Sequence, residues 1–402
     1  MQIDLPAAKK ITLPAVYKKS GVKKIFQALD NQCLFVGGCV RDALLKQVNS
    51  DIDLATPILP QGVMTALRDA GIKAIATGLE HGTVTAVCDE VSVEITTLRK
   101  DVSTDGRRAV VAFSTSWIED SLRRDFTFNG LLMDMKGHVY DPTGRGIADL
   151  KQREVVFIGD ARARVREDYL RILRYFRFCA RYNMPLDTEI LSIFKEEIIG
   201  LDSVSKERIT AELFKILESE RPQAAISALR YYPMFAWFGS AVVSLDSFCA
   251  AQKTHSANDA MGRLFLLCSG GASSVKGDLR LSKREISTLD EMSRFVEAYP
   301  HQPIDYLLYH YNHKIVTQCA IYLHVTGKVS DASLAFIISE VKAWPSPVFP
   351  INGGLLLAEG YDAGVRLGKA LRHVETWWVE HKFEPKSEEC LHEAIKWLNK
   401  NA

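Results

Sequence analysis

Asp51-Ile52-Asp53 lies in an alternating stretch, 51–55, that reads as a strand. On a strand, residues i and i+2 point to one face. Two carboxylates so placed can hold a pair of Mg2+ ions about 3.5–4 Å apart. Without a cation between them, two like charges at a buried strand end repel. Ile52 points the other way, toward a core. Glu94 is a charged residue among apolar and small neighbours in the strand-like stretch 91–98, and is the candidate third ligand. By itself a D-x-D pair also fits a solvated turn.

A second set of residues suits an anionic ligand. Gly37-Gly38 ends a short apolar run about a dozen residues before the carboxylates. Glycine lets backbone approach a phosphate closely, and a helix opening just after it aims N–H groups at an anion. Arg41 on that first turn can add a charge-assisted bond, or pair with Asp42. Further along stand Arg123-Arg124-Asp125, with Asn129 close by, and then Asp168, Arg171 and Arg174 in an arginine-rich helical stretch. An arginine pair on a helix also fits a solvated face, and Asp168 with Arg171 fits a surface ion pair of about 0.2–0.5 kcal/mol.

The elements that must position these groups divide the chain. The first third alternates helix and strand signals: helices at 21–29, 40–46 and 63–70, the last closed by Gly71, and strands at 32–36, 51–55, 83–88 and 91–98. The stretch 101–109 is polar, contains Gly106 and reads as a mobile loop. Ser116 and Glu119 have the spacing of a capping box. From about 161 long helices take over, with 165–182 the clearest and 206–218 next. Breaks are expected at 269–274 and 345–354, and no internal repeat is found. With 402 residues, two or more domains are expected.

Bulk properties narrow the class. The 47% hydrophobic and 25% charged composition is that of a soluble globular protein. Fifty basic and 49 acidic residues leave a net charge of +1, so any nucleic acid must be met by local patches. Eight scattered cysteines show no C-x-x-C spacing, which argues against a zinc site and for buried thiols in a reducing compartment, with the cytoplasm as default. No apolar run of about 18 residues suggests a membrane span, and no secretory signal is evident.

Together these segments resemble the poly(A) polymerase and tRNA nucleotidyltransferase family, class II, within the DNA polymerase beta superfamily. The resemblance rests on Leu34-Phe35-Val36-Gly37-Gly38-Cys39-Val40-Arg41-Asp42, Ser50-Asp51-Ile52-Asp53-Leu54, His81-Gly82-Thr83-Val84 and Glu94-Ile95-Thr96-Thr97-Leu98-Arg99. It continues through Glu119-Asp120-Ser121-Leu122-Arg123-Arg124-Asp125-Phe126-Thr127-Phe128-Asn129, Arg166-Glu167-Asp168-Tyr169-Leu170-Arg171-Ile172-Leu173-Arg174 and Val204-Ser205-Lys206-Glu207-Arg208-Ile209. It covers about 30–220 firmly. The tail resembles bacterial tRNA-adding members more loosely, through Pro350-Ile351-Asn352-Gly353 and Gly360-Tyr361-Asp362-Ala363-Gly364.

The resemblance implies an α+β, polymerase-beta-like head with a mixed sheet (1–145), then an all-α neck (146–220), body (221–310) and tail (311–402). It implies catalysis by Asp51, Asp53 and Glu94 with Mg2+ on Asp51 and Asp53. Nucleotide binding falls to Gly37, Gly38, Arg41, Arg123, Arg124, Asp125, Asn129, Asp168, Arg171 and Arg174. Body and tail are expected to hold tRNA, and the loop at 101–109 to take part in switching from C to A addition. The implied reaction is CCA addition to tRNA from CTP and ATP; a poly(A) polymerase, a CC- or A-only enzyme, and a non-catalytic RNA-binding protein are the other readings. Asp168 and Arg171 suit the first. Cytosine and adenine each offer an amino donor beside a ring-nitrogen acceptor, which a carboxylate and a guanidinium match, whereas uracil and guanine invert both. Departures are Arg145, which interrupts a Gly-Gly in the hinge 140–150, Gly130 in place of alanine, and Leu355 and Ala363 in the tail.

Overall fold

The computed structural model describes residues 5–47, 51–104, 109–268, 275 and 277–401. These form two compact units, residues 1–225 and 226–402.

The first unit is built on an eight-stranded mixed sheet in the order β1-β10-β9-β2-β3-β6-β5-β4. Its strands are β1 (Lys9–Lys10), β2 (Leu34–Val36), β3 (Ile52–Thr56), β4 (Lys73–Gly78), β5 (Thr83–Cys88), β6 (Val91–Thr97), β9 (Leu132–Met133) and β10 (His138–Tyr140). Among the described residues only the β3–β6 pair is parallel, with Asp53 opposite Glu94. Helices α1 (Ser20–Ala28), α2 (Gly38–Leu44) and α3 (Pro60–Asp69) join the first strands, and Gly71 follows α3 at φ 70°. Alternation explains the central strands. Leu54, Val93 and Ile95 are buried on one face, whereas Glu94 between the last two is exposed.

The stretch expected as a loop at 101–109 is instead largely a ribbon. Strands β7 (Arg99–Thr104) and β8 (Ala109–Phe113) pair antiparallel as a separate two-stranded sheet. The polar run 101–107 carries no apolar period, so this sequence did not signal the strand at 99–104. Gly106 lies outside the described residues, as does the break expected at 269–274.

Helix α4 (Trp117–Leu122) opens where the capping spacing placed it: Ser116 Oγ accepts the Glu119 amide. The Glu119 carboxylate accepts from the Ser114 hydroxyl (2.6 Å), so only half of a capping box forms. After α4 the chain is buried throughout residues 125–130. Phe126 and Phe128 are fully buried and meet Phe178 edge-on at 5.4 and 5.3 Å. Each buried phenylalanine contributes roughly 1.5–3 kcal/mol. This contact fixes the Arg123–Asn129 segment against the helices that follow.

Those helices are α5 (Gly146–Gln152), α6 (Ala161–Glu167), α7 (Leu170–Tyr182), α8 (Thr188–Glu197) and α9 (Lys206–Glu218). The single helix expected over 165–182 is two. Asp168 is extended (φ −153°, ψ 102°), and its carboxylate accepts the Leu170 amide at 3.1 Å. A short acidic side chain that bonds nearby amides competes with helix continuation, which an apolar period cannot reveal. At the hinge, Arg145 reaches back to the buried Asp149 (3.2 Å), whose other oxygen accepts from the Thr127 hydroxyl (2.7 Å). The extra residue thus has an electrostatic anchor. Gly146 must stay small, since a Cβ there would lie 2.6 Å from the Thr127 carbonyl oxygen.

Helix α10 (Gln223–Leu229) leads into the second unit. Its helices are α11 (Leu245–Thr254), α12 (Ala260–Leu267), α13 (Lys283–Ala298), α14 (Ile304–His310), α15 (His313–Val325), α16 (Asp331–Ala343), α17 (Gly353–Ala358), α18 (Val365–Glu380) and α19 (Ser387–Lys400). The segment Pro233–Thr254 is long and apolar enough to cross a membrane by length and composition. Gly239 breaks it at φ 55°, and Phe235, Phe238, Leu245 and Phe248 are fully buried, whereas Val243 is exposed. Asn352 of the tail motif caps α17, its side chain accepting the Gly354 and Leu355 amides. All eight cysteines are free, and all but Cys88 are buried.

Candidate active site

All thirteen residues singled out above line one cavity of roughly 560 Å3 within the first unit. Asp51 immediately precedes β3, and Asp53 is its second residue. Ile52 between them is buried, as alternation requires. Burial, then Glu94 and Asp51, push the Asp53 carboxyl up to about 6, against the pull of Arg124 and Arg41. Such a cluster is poised to accept positive charge. Among the described residues no group of three or more His, Cys, Asp or Glu is gathered so that it could hold a metal ion, so Asp51, Asp53 and Glu94 do not form a three-carboxylate set here. The Asp51–Asp53 pair is a hard, acidic donor set. That suits Mg2+, which keeps waters and takes substrate phosphates rather than a full protein shell.

The glycine turn sits at the end of β2, which pairs with β3 through Leu34–Ala55 and Phe35–Leu54. Gly37 has φ 59° and ψ −120°, a combination open to glycine and strained for other residues. A Cβ there would come 3.2 Å from Arg124 Nη1. The turn and this arginine thus lie side by side in the cavity lining.

Arg41 divides its bonds inward. Its Nε donates to Asp42 (2.9 Å) and its Nη1 to the Asn129 side chain (2.7 Å), and its guanidinium lies 4.9 Å from the Tyr182 ring centroid. Asp42 in turn accepts from the Tyr182 hydroxyl at 2.7 Å. Asn129 Nδ2 donates to Asp125 Oδ1 (2.8 Å), and Arg174 Nε donates to Asp125 Oδ2 (2.7 Å). Burial alone would raise the Asp125 carboxyl, but Arg174, Asn129 and the Phe126 amide together hold it below its usual range. Arg41, Asn129, Asp125 and Arg174 therefore form one buried chain that joins α2 to α7.

Asp168 and Arg171 each have another partner. Arg208 on α9 donates to Asp168 at 2.8 Å, and Arg171 donates to Glu167 at 2.6 Å and to the Arg164 carbonyl at 2.7 Å. The i,i+3 surface pair does not describe them, because the helix is broken at Asp168. Both still border the cavity.

Four charged cavity residues have no role assigned from the sequence alone: Arg99, Asp120, Arg177 and Arg181. The last two follow Arg171 and Arg174 along one face of α7, a period of three to four that was legible as a stripe. Burial brings Arg177 down to about 10, against the attraction of Glu212, whose Oε2 is 3.0 Å from its Nε.

The chain matches two family models, the poly A polymerase head domain over residues 33–156 and the probable RNA and SrmB-binding site of polymerase A over 183–238. It is 31% identical to a CCA tRNA nucleotidyltransferase 1, mitochondrial, of Danio rerio, an alignment covering 92% of this chain and 89% of the relative. It is 32% identical to the Homo sapiens protein of that name, covering 92% and 87%. A CCA-adding enzyme of Geobacillus is 33% identical over 70% of this chain and 71% of its own. In fold it is similar to the Bacillus stearothermophilus CCA-adding enzyme solved with CTP, with a TM-score of 0.75, 24% identity, and 96% and 98% of the two chains covered. Near-complete alignment above 30% identity, joined to a cavity that gathers all thirteen candidate site residues, means that the chain belongs to the CCA tRNA nucleotidyltransferase family.

Proposed function

We propose that this chain adds CCA to the 3′ end of tRNA, one nucleotide at a time and without a template, from CTP and ATP. The observation that carries the reading is the convergence in one cavity of the Asp51–Asp53–Glu94 carboxylates, the Gly37 turn with Arg124, and the Asp168–Arg171 pair. Full-length similarity to CCA tRNA nucleotidyltransferases supports it.

In this reading Asp51 and Asp53, with Glu94 beside them, hold divalent cations, Mg2+ by donor type. Bound there, the ions supply a lowered pKa for the primer hydroxyl and charge neutralisation of the leaving pyrophosphate. The primer 3′-oxygen attacks the α-phosphorus in line, the bond to the β-phosphate oxygen breaks, and the hydroxyl proton passes to solvent. Arg123, Arg124 and Arg174 orient and neutralise the triphosphate from the protein side. Asp125, backed by Asn129 and Arg41, holds Arg174 in place. Asp168 accepts from the amino group of cytosine or adenine, and Arg171 donates to the neighbouring ring nitrogen. Uracil and guanine would leave both groups facing like partners, a cost of a few kcal/mol in a buried polar site. Free thiols fit a reducing compartment, and the cytoplasm is part of this proposal.

The test uses purified protein, Mg2+ and a tRNA lacking its terminal CCA, with CTP and ATP singly and together. Two C additions with CTP, followed by one A when ATP is present, are expected. A long A tail, or C addition that never proceeds to A, overturns the reading.

A further inference from the structure

Asp120 is buried on α4, only 4% exposed, and belongs to no role assigned above. Its Oδ2 accepts from Arg124 Nη2 at 2.8 Å and from Arg124 Nε at 3.3 Å. Its Oδ1 accepts the Arg99 backbone amide at 3.1 Å, and Arg123 Nε lies 3.7 Å away. One edge of the Arg124 guanidinium is thus clamped. The remaining nitrogen, Nη1, makes only a long contact to the Asn129 carbonyl (3.4 Å) and faces the Gly37 turn. The Arg99 amide held by the same carboxylate starts β7, the root of the two-stranded ribbon.

We infer that Asp120 is a positioning residue for nucleotide binding. By gripping one edge of Arg124 it holds the other beside the Gly37 turn, so that Nη1 and the turn are placed side by side to meet the same triphosphate. This rests on the nucleotide-binding reading above. A carboxylate beside a triphosphate is otherwise unfavourable, since like charges repel at short range. Its presence is explained if orienting the guanidinium outweighs that repulsion. An arginine fork recognises phosphate by geometry as well as charge, so a swivelled Arg124 would keep its charge and lose its aim.

The two effects have opposite signs, which makes the inference testable. Asp120→Asn removes one negative charge at nearly constant shape. If Asp120 acted only through charge, CTP would bind more tightly. Positioning predicts weaker binding: KM for CTP and for ATP, and the Kd of CTP measured without primer, should rise about tenfold, the equivalent of one weakened charge-assisted bond, with kcat at saturation changed much less. In an Arg124→Ala background, Asp120→Asn should add no further weakening, because the group it orients is gone. Tighter CTP binding by D120N, or full additivity with R124A, overturns the inference. Should D120N fail to fold, Asp120→Glu carries the test. It keeps the charge and moves the carboxylate by one methylene, so KM should rise again; wild-type KM values there count against positioning. A wild-type protein that binds no CTP would instead refute the nucleotide-binding reading itself.

Discussion

Gly37→Ala perturbs one backbone position and reports on both stability and substrate binding. At φ 59° and ψ −120° an alanine sits in a region that costs a non-glycine residue about 1–3 kcal/mol. For a unit of 225 residues, 1 kcal/mol corresponds to about 2–4 °C in Tm. A fall of roughly 2–12 °C is therefore expected by the same scaling. The added methyl also lies 3.2 Å from Arg124 Nη1, closer than an ordinary contact, and Asp120 holds the opposite edge of that guanidinium. The arginine must yield, and KM for both CTP and ATP should rise about tenfold, as one charge-assisted bond is weakened. The control is Gly71→Ala. Gly71 has φ 70° with nothing within 4 Å of the new Cβ, and it closes α3. It should lose about 1–2 kcal/mol for the left-handed backbone and leave both KM values unchanged. Thermal unfolding and single-nucleotide primer extension measure both quantities. If G37A is as stable as wild type, the backbone argument fails. If it loses stability but keeps its KM values, the turn and Arg124 do not share a ligand.

Asp53→Ala should abolish nucleotide transfer while tRNA still binds in a gel-shift assay; an unchanged rate would remove the carboxylates from the chemistry. Asp168→Asn turns one acceptor oxygen into a donor, so primer extension with single nucleotides should show UTP gaining on CTP by about tenfold or more, the scale of one mismatched buried hydrogen bond; a wild-type preference would place base selection elsewhere. Deleting 101–109 should leave C addition intact and impair A addition, and equal loss of both would separate the ribbon from the switch. The Asp125 carboxyl titrates below its unfolded value of about 3.9, so its stabilisation is present above that pH and is lost as pH falls through the lower folded value. Urea unfolding between about pH 5 and pH 3 should therefore show a steeper acid loss in wild type than in Asp125→Asn, and parallel curves would mean that the Arg174 pair contributes nothing net.

The parts of the site carried by local pattern were legible. Alternation put Asp51 and Asp53 on one side of a strand with Ile52 inward, as the structure has it. What pattern could not supply was competition and distance. Asp168 looked like one more helical residue because the apolar period runs through it, yet its carboxylate takes the Leu170 amide and splits the helix. The inward partners of Arg41 were out of reach of local pattern: Asn129 lies 88 residues along the chain, and Tyr182 is met through Asp42. Arg177 and Arg181 were visible as part of a basic helix face, but only folding shows that this face borders a cavity rather than solvent.

A net charge of +1 offered no hint of an anion site, and the cavity explains why. Its lining holds eight arginines and six carboxylates, so most of its positive charge is answered within the site. Asp120 and Asp125 each grip an arginine, and Arg208 and Glu167 each hold one member of the base-selecting pair. The carboxylates cost electrostatic attraction for a triphosphate. In return each clamped guanidinium has already lost the rotamer freedom that ordering a long side chain would otherwise require on binding, an amount of order 1 kcal/mol per side chain. With several arginines at stake, pre-orientation can outweigh the attraction forgone. The same argument implies that charge deletions among these carboxylates should weaken nucleotide binding even as they make the cavity more positive.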